Sequence, residues 1–201
     1  MKAFDGFKSE ASAKKYPMLP AGTYVAAIKN VKIDGAEPDQ QLVLRLEIIE
    51  GEWAGYFTKR YEHDSQGAGL QQQYQAKYKG DLRLQIPNPE NGRRTHPEWD
   101  VRTFNNAIWA IEQSNPGYRW DWNEAGLKGK TVGINVREGT YNGIAYTQIG
   151  RLEVAQDVRK GIVETMKPKA DRQAAGGVVE VPEKPSVPGG FTPVETDELP
   201  F

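Results

Sequence analysis

Cysteine is absent from the 201 residues, which excludes disulfides, thiolate metal sites and cysteine nucleophiles and suits a reducing compartment. Histidine is nearly absent too, since His63 and His96 are the two present and no further nitrogen ligand stands at a convincing spacing from them. No apolar run approaches the length of a membrane span, and the N-terminus has no signal-like apolar region. We therefore expect a soluble cytoplasmic protein with no metal site, no cofactor and no membrane partner.

Motifs for catalysis are also missing. The segment 126–131 ends like a phosphate-binding loop, but its required earlier glycine would fall at Glu124, and strand-like residues follow it. No nucleophile elbow, carboxylate pair or cofactor fingerprint is present. We predict no enzymatic activity and no catalytic residues.

The net charge of −1 is unevenly distributed along the chain. Residues 1–170 carry 24 Lys and Arg against 21 Asp and Glu, whereas residues 171–201 carry 2 against 6. The body is therefore mildly basic and the C-terminal segment is acidic. This balance alone is weak evidence for a nucleic-acid partner, because near-balanced surfaces are usual in soluble domains.

The C-terminal segment differs from the body in composition. From Pro168 onward no periodic apolar pattern remains, and prolines and paired glycines interrupt the chain. Such a segment buries too little apolar surface to offset the entropy of ordering it. We predict one folded domain over residues 1–165 and a disordered, Gly/Pro-rich acidic tail over residues 166–201.

The body has the apolar patterning of a mainly β domain. Alternating apolar residues predict strands, and the phase shift near Lys29 and Asn30 predicts a β-bulge. The five predicted strands cover residues 23–33, 42–49, 56–61, 132–136 and 144–154. The turn-forming residues of Glu138–Gly143 predict a hairpin between the last two.

One segment has helical periodicity. Val101, Phe104, Ile108 and Ile111 recur at helical spacing, and Asp100 is a candidate N-cap. The pattern of residues 71–78 fits either a helix or a strand, residues 87–92 predict a loop, and the structure of residues 62–97 as a whole is left open. Three strands, one helix and two strands in a hairpin is the element order of the five-stranded oligonucleotide-binding (OB) barrel, with its helix between strands 3 and 4.

Aromatic and cationic residues are interleaved on the predicted outer strands. Such residues suit single-stranded nucleic acid, because bases stack on flat rings at about 1–3 kcal/mol each and cations contact phosphates. The candidate contacts are Trp53, Tyr56, Phe57, Lys59, Arg60, Tyr61, Lys77, Tyr78, Arg137, Tyr141, Tyr146 and Arg151, and Tyr74, Lys79 and Arg83 continue the pattern. The alternative is that about half of these rings belong to the core, because about half of any strand points inward.

Four tryptophans form a separate group around the predicted helix: Trp99, Trp109, Trp120 and Trp122. Rings of this size bury much apolar area, so we interpret this group as core that seals one end of the barrel rather than as ligand contacts.

The last residues form a chemically specific ending. Asp197, Glu198, Leu199, Pro200 and Phe201 combine two acids, a proline and a terminal ring that carries a free carboxylate. An apolar pocket with a basic rim would bind such a hook, and the proline lowers the entropy cost of docking. We predict a partner-binding tip.

This ending and the body together carry a family resemblance. The terminal DELPF behind a Gly/Pro-rich linker resembles the acidic tip of bacterial single-stranded-DNA-binding proteins. The body is similar to their diverged relatives from phages and mobile elements, with landmarks at Leu19–Tyr24, Glu50–Tyr56 and Leu127–Lys130. The resemblance covers residues 17–160 loosely and the last five tightly.

The resemblance implies sequence-independent binding and protection of single-stranded DNA during replication, recombination or repair. The tip would recruit replication and recombination proteins, and the chain would form a homo-oligomer, either a dimer or a tetramer. We further expect the acidic tail to compete with DNA for the basic body. Two alternatives are open: an interaction adaptor that does not bind DNA, and an accessory subunit of a mobile-element nuclease.

Overall fold

A computed structural model describes residues 16–67, 76–88 and 96–169 of the chain. Its strands are β1 (Gly22–Asp34), β2 (Gln41–Ile48), β3 (Asp81–Gln85), β4 (Thr131–Tyr141) and β5 (Ile144–Glu153). Its helices are α1 (Tyr56–Gly67), α2 (Pro97–Ser114) and α3 (Ala155–Arg159), and a 3₁₀ turn covers Glu124–Leu127. The prediction of a mainly β domain with five strands is confirmed.

The five strands form one antiparallel sheet in the order β3-β2-β1-β4-β5. The strand β1 lies at the centre, and β3 and β5 are the edges. The predicted closure into a barrel is not made, because β3 and β5 do not pair with each other in the part of the chain that the structure describes.

The regular alternation of the central strands produces the observed register. Leu42, Leu44 and Leu46 of β2 point to the buried side, as the period of two requires. The predicted bulge in β1 is confirmed, since the pairing with β2 shifts between Ile28 and Asn30.

The predicted β4–β5 hairpin is also confirmed, and β4 runs further than the sequence indicated, to Tyr141. The turn itself is Asn142-Gly143, and both of these residues have positive φ. Asparagine and glycine tolerate that conformation, so the two-residue turn closes without strain.

The prediction of a third strand over residues 56–61 is wrong. These residues open α1, and the third strand of the sheet is β3, further along the chain. The aromatic residues at 56, 57 and 61 favour a strand by propensity, but a tertiary contact decides the outcome. The buried carboxylate of Glu47 accepts hydrogen bonds from the backbone N–H groups of Phe57 and Thr58 and so caps the first turn of a helix.

The predicted helix between the third and fourth strands is α2, and it is confirmed with different bounds. It begins at Pro97 rather than after Asp100. Proline suits the first helical position, because the N–H that it lacks would have no hydrogen-bond partner within the helix there. Its buried stripe includes Phe104, Ala107 and Ile111, and the helix packs against β3, β4 and β5.

The last described residues lie across the β4–β5 pair. The buried side chain of Asn135 accepts a hydrogen bond from the backbone N–H of Met166 and donates one to the carbonyl of Glu164. The backbone N–H of Lys169 then donates to the carbonyl of Glu138 at 2.8 Å. The chain therefore leaves the described domain beside the β4–β5 hairpin, and the rest of the predicted tail lies outside the described residues.

Candidate functional site

A cleft of about 1480 Å³ opens between three parts of the domain. Its walls come from α1, from the segment 76–83 that leads into β3, and from residues 144–149 of β5. The edge strands β3 and β5 are the two strands that would pair with each other if the sheet closed into a barrel. The cleft lies between them.

Two arginines on one face of β2 and β3 line the cleft. Arg45 is paired across the strands with Asp81, and its Nε lies 2.9 Å from that carboxylate, whose hydrogen bond raises the pKa of Arg45. Arg83 lies 2.6 Å from Asp34, and this hydrogen bond lowers the pKa of Asp34. Both guanidiniums are therefore held in place while remaining partly open to solvent.

Positive charge predominates in the lining. Five cationic side chains face two carboxylates there: Arg45, Arg60, Lys77, Lys79 and Arg83 against Asp64 and Asp81. The two lysines are exposed and form no ion pair with any residue that the structure describes. They are thus available to an anionic ligand such as a phosphate backbone.

Tyrosine rings lie among these cations. The rings of Tyr61 and Tyr78 have centroids 6.1 Å apart, and the guanidinium of Arg45 lies 4.7 Å from the centre of the Tyr78 ring. Tyr146 lines the opposite wall, and Tyr16 borders α1. Rings interleaved with cations offer stacking for bases and charge for phosphates within one cleft.

The ring of Tyr78 is fixed from behind. Its hydroxyl lies 3.0 Å from the carbonyl oxygen of Leu46 and 3.0 Å from a carboxylate oxygen of Glu47. Burial and the neighbouring carboxylate raise the pKa of Tyr78 far above its usual value, so the hydroxyl remains a donor. The ring is therefore positioned before any ligand binds.

Glu47 connects two walls of the cleft. Its buried carboxylate accepts the N–H groups of Phe57 at 3.0 Å and Thr58 at 2.7 Å, and also the hydroxyls of Thr58 and Tyr78. One side chain on β2 thus fixes both the start of α1 and the segment that carries Tyr78. Such support keeps a binding site preorganised.

The hydroxyl of Tyr56 anchors the residues that enter the domain. It donates to the carbonyl of Pro17 and accepts from the N–H of Leu19, each at 2.9 Å, and Arg60 donates to the same oxygen at 2.9 Å. This contact holds Tyr16 against α1, where its ring lies 5.3 Å from that of His63.

The structure brings together five of the twelve residues proposed from the sequence to contact nucleic acid. Arg60, Tyr61, Lys77, Tyr78 and Tyr146 all line the cleft. They come from α1, from the segment before β3 and from β5, three regions that are distant in sequence.

Two other proposed contacts, Tyr56 and Phe57, are corrected by their burial, and the proposed contacts Trp53 and Lys59 lie outside the cleft lining. Tyr56 and Phe57 are 3% and 4% exposed, so they are core residues. Trp53 is partly buried, with its ring edge-on to Tyr56 at 5.6 Å. Lys59 donates to the carbonyl of Ala54 at 3.0 Å and does not line the cleft.

Three further proposed contacts lie on the β4–β5 pair but outside the cleft lining. Tyr141 is exposed beside the hairpin turn, and Arg151 forms an ion pair with Glu153. Arg137 stands opposite Gln148 in the register. The proposed tip Asp197–Phe201 lies outside the described residues, as does Tyr74.

The sequence interpretation missed Tyr16 and Arg45. Arg45 had a readable signal, because it occupies the outward phase between Leu44 and Leu46 on a strand that is otherwise largely apolar. No sequence signal pointed to Tyr16, because its position depends on hydrogen bonds between the distant hydroxyl of Tyr56 and the backbone of Pro17 and Leu19.

The interpretation of the tryptophan group as core is wrong for three of its four members. Trp99, Trp109 and Trp122 are 54%, 56% and 72% exposed, and Trp120 is partly buried against the core. These rings lie on α2 and on the loop after it, and none of them lines the cleft.

Within residues 16–67, 76–88 and 96–169, no group of three or more histidine or acidic side chains is placed to hold a metal ion. No helix in those ranges is both long enough and apolar enough to cross a membrane. No known protein-family model matches the chain, and no curated protein is significantly similar to it in sequence.

Proposed function

We propose that this chain binds single-stranded DNA in the cleft, without sequence preference and without catalysing a reaction. The observation that carries the proposal is the lining itself: five cations against two carboxylates, interleaved with tyrosine rings. Phosphates would contact Lys77, Lys79 and the arginines, and bases would stack on Tyr61 and Tyr146. Protection of exposed strands during replication or recombination would follow from such binding.

The strand order supports an OB-type architecture. The first strand pairs with the second and the fourth, so the sheet has the order of an OB barrel that is open between β3 and β5. In OB folds, oligonucleotides bind on the face of strands 2 and 3 and at the loop between strands 4 and 5. The cleft uses the corresponding parts of this chain, namely Arg45 and Arg83 on β2 and β3 and residues 144–149 beside the hairpin turn.

The test is a titration of a fluorescently labelled oligo-dT with the full chain, read by anisotropy at several salt concentrations. We expect saturable binding at low salt and a negative slope of log affinity against log salt, because cations displaced from phosphates are released on binding. Absence of binding at low salt would overturn the proposal. Parallel titrations with oligo-dA and oligo-rU measure the preference for base and sugar.

The acidic tail would act on the same cleft and would carry the partner-binding tip at Asp197–Phe201. Lys169 is bonded to β4 next to the hairpin, so the tail begins beside one wall of the cleft. We expect deletion of residues 171–201 to tighten oligo-dT binding at low salt. Unchanged affinity after the deletion would contradict this competition.

A further inference from the structure

A second aromatic surface lies on α2 and on the loop that follows it. We call it the tryptophan surface and define it as Trp120 and Trp122, whose rings contact each other and pack on Phe104. Trp99 and Trp109 are exposed elsewhere on α2. Within the tryptophan surface, Trp122 is more than half exposed. Large exposed aromatic groups in a folded domain mark interaction sites, and tryptophan is enriched among the residues that dominate binding energy.

The loop that carries both rings of the tryptophan surface is held in place. Glu112 accepts the backbone N–H of Trp120 at 2.9 Å, and Asn123 accepts the indole N–H of the same tryptophan at 3.1 Å. The ring of Trp122 is stacked on Phe104, with centroids 6.3 Å apart and planes at 18°. The surface is therefore formed before any partner arrives.

Trp122 also has an unfavourable backbone. Its φ is +67°, in a region that bulky residues rarely adopt. The residue is 72% exposed, so burial of its ring does little to offset this strain. Strained residues of this kind cluster at functional sites. A binding role for the exposed ring accounts for a tryptophan at a position where asparagine or glycine would fit better.

The charge around the surface selects its partner. Residues 97–125 contain five carboxylates and two cations, and one charge of each sign is paired, because Arg119 lies 2.7 Å from Glu112. Asp121 and Glu124 stand on either side of Trp122 in the loop. Such a rim repels a phosphate backbone and attracts lysine and arginine, which also pack against indole rings.

We propose that the tryptophan surface is a docking site for a segment of a partner protein that is both basic and apolar. Apolar side chains of the segment pack on Trp122 and Trp120, and its cations lie against Asp121 and Glu124. This site is separate from the cleft and does not depend on the cleft's ligand.

The test uses the full chain and a labelled amphipathic peptide of lysine and leucine, with a matched peptide of glutamate and leucine. We expect saturable binding of the first peptide and none of the second, read by anisotropy. Trp122→Ala and the charge reversal Asp121→Lys should each weaken binding by about tenfold or more. The control Ile33→Ala, an exposed apolar residue on β1, should leave binding unchanged.

Equal binding of the peptide to the wild type and to all surface variants would overturn the proposal, because the acidic tail alone would then be the site. Loss of self-association in Trp122→Ala, measured by sedimentation, would identify a second copy as the occupant instead. A requirement to delete residues 1–15 before the peptide binds would identify this chain's own N-terminal segment. Oligo-dT protection of the tryptophans would assign the surface to DNA. Each of these three results also overturns the proposal.

Discussion

The cleft and the tryptophan surface both expose aromatic rings, and they differ in the sign of their charge. Five cations face two carboxylates in the cleft, whereas residues 97–125 carry five carboxylates and two cations. Exposed rings alone therefore do not identify a ligand. The surrounding charge separates a surface suited to phosphates from one suited to a basic protein segment.

The two regions also differ in how their rings are held. Tyr78 in the cleft is anchored through its hydroxyl by Glu47, a buried residue of the central sheet. Trp122 is held by a loop and by ring contacts with Phe104 and Trp120, with a backbone in the left-handed region. Because Tyr78 is anchored to a buried residue and Trp122 is held by a surface loop, we expect the cleft to keep its shape under conditions that disturb the tryptophan loop.

The largest effect is expected from reversing charge in the cleft. Lys77→Glu combined with Lys79→Glu should lower oligo-dT affinity at low salt by about 100-fold and reduce the salt slope by roughly 1.4, or 0.7 per lost phosphate contact. Anisotropy titrations at several salt concentrations measure both quantities. The matched control Lys128→Glu with Lys160→Glu makes the same change in net charge on exposed lysines outside the cleft. Equal losses in the two double variants would show that net charge alone matters.

A smaller effect is expected from removing a stacking ring. Tyr61→Ala should weaken oligo-dT binding by about 1–3 kcal/mol with little change in the salt slope, because a base contact is lost and no phosphate contact is. Tyr61 is 42% exposed, so the fold should tolerate the change. Tyr141→Ala removes an exposed ring outside the cleft and should leave affinity nearly unchanged. A larger loss in Tyr141→Ala than in Tyr61→Ala would move the binding site toward the hairpin turn.

The sequence predicted the parts of the fold that depend on local pattern. Alternation in β1 and β2, the bulge after Ile28 and the Asn142-Gly143 turn all follow from neighbouring residues. The short strand β3 also carried such a signal in the alternation of Leu82 and Leu84, although the loop around it obscured the pattern.

The sequence could not predict the features that depend on distant contacts. The start of α1 depends on a carboxylate ten positions earlier, at Glu47, so its aromatic residues were interpreted as a strand. That error placed Tyr56 and Phe57 in the binding site, although both are buried. The exposure of the tryptophans was likewise unreadable, because ring size suggests burial and only tertiary structure shows which face of α2 is covered.

A third effect concerns the strained backbone of the tryptophan surface. Asparagine tolerates positive φ better than alanine, so Trp122→Asn should be more stable than Trp122→Ala by about 1 kcal/mol, while both lose binding of the lysine–leucine peptide. Urea denaturation of the two variants measures the difference. Equal stability would mean that position 122 carries no strain.

The smallest effect is expected from pH. The backbone N–H of Trp120 and the guanidinium of Arg119 lower the pKa of Glu112 below its usual value of 4.5. A carboxylate with a lowered pKa stabilises the folded loop fully above that usual value, and this contribution is lost as the pH falls through the lowered pKa. Acidification should therefore change the tryptophan emission as the pH falls through the lowered pKa of Glu112.

The variant Glu112→Gln provides the control for that pH effect. It removes the titrating group while keeping an acceptor for the N–H of Trp120, so its emission should lack the acid transition. A transition of the same size in the variant would assign the change to another group.

The most direct test of the account is a hydrogen-exchange footprint of the full chain with and without oligo-dT. We predict new protection in α1, in residues 76–83 and in residues 144–149, with none over residues 97–125. Protection concentrated on α2 and its following loop, or no protection in the three walls of the cleft, would contradict the assignment of nucleic acid to the cleft.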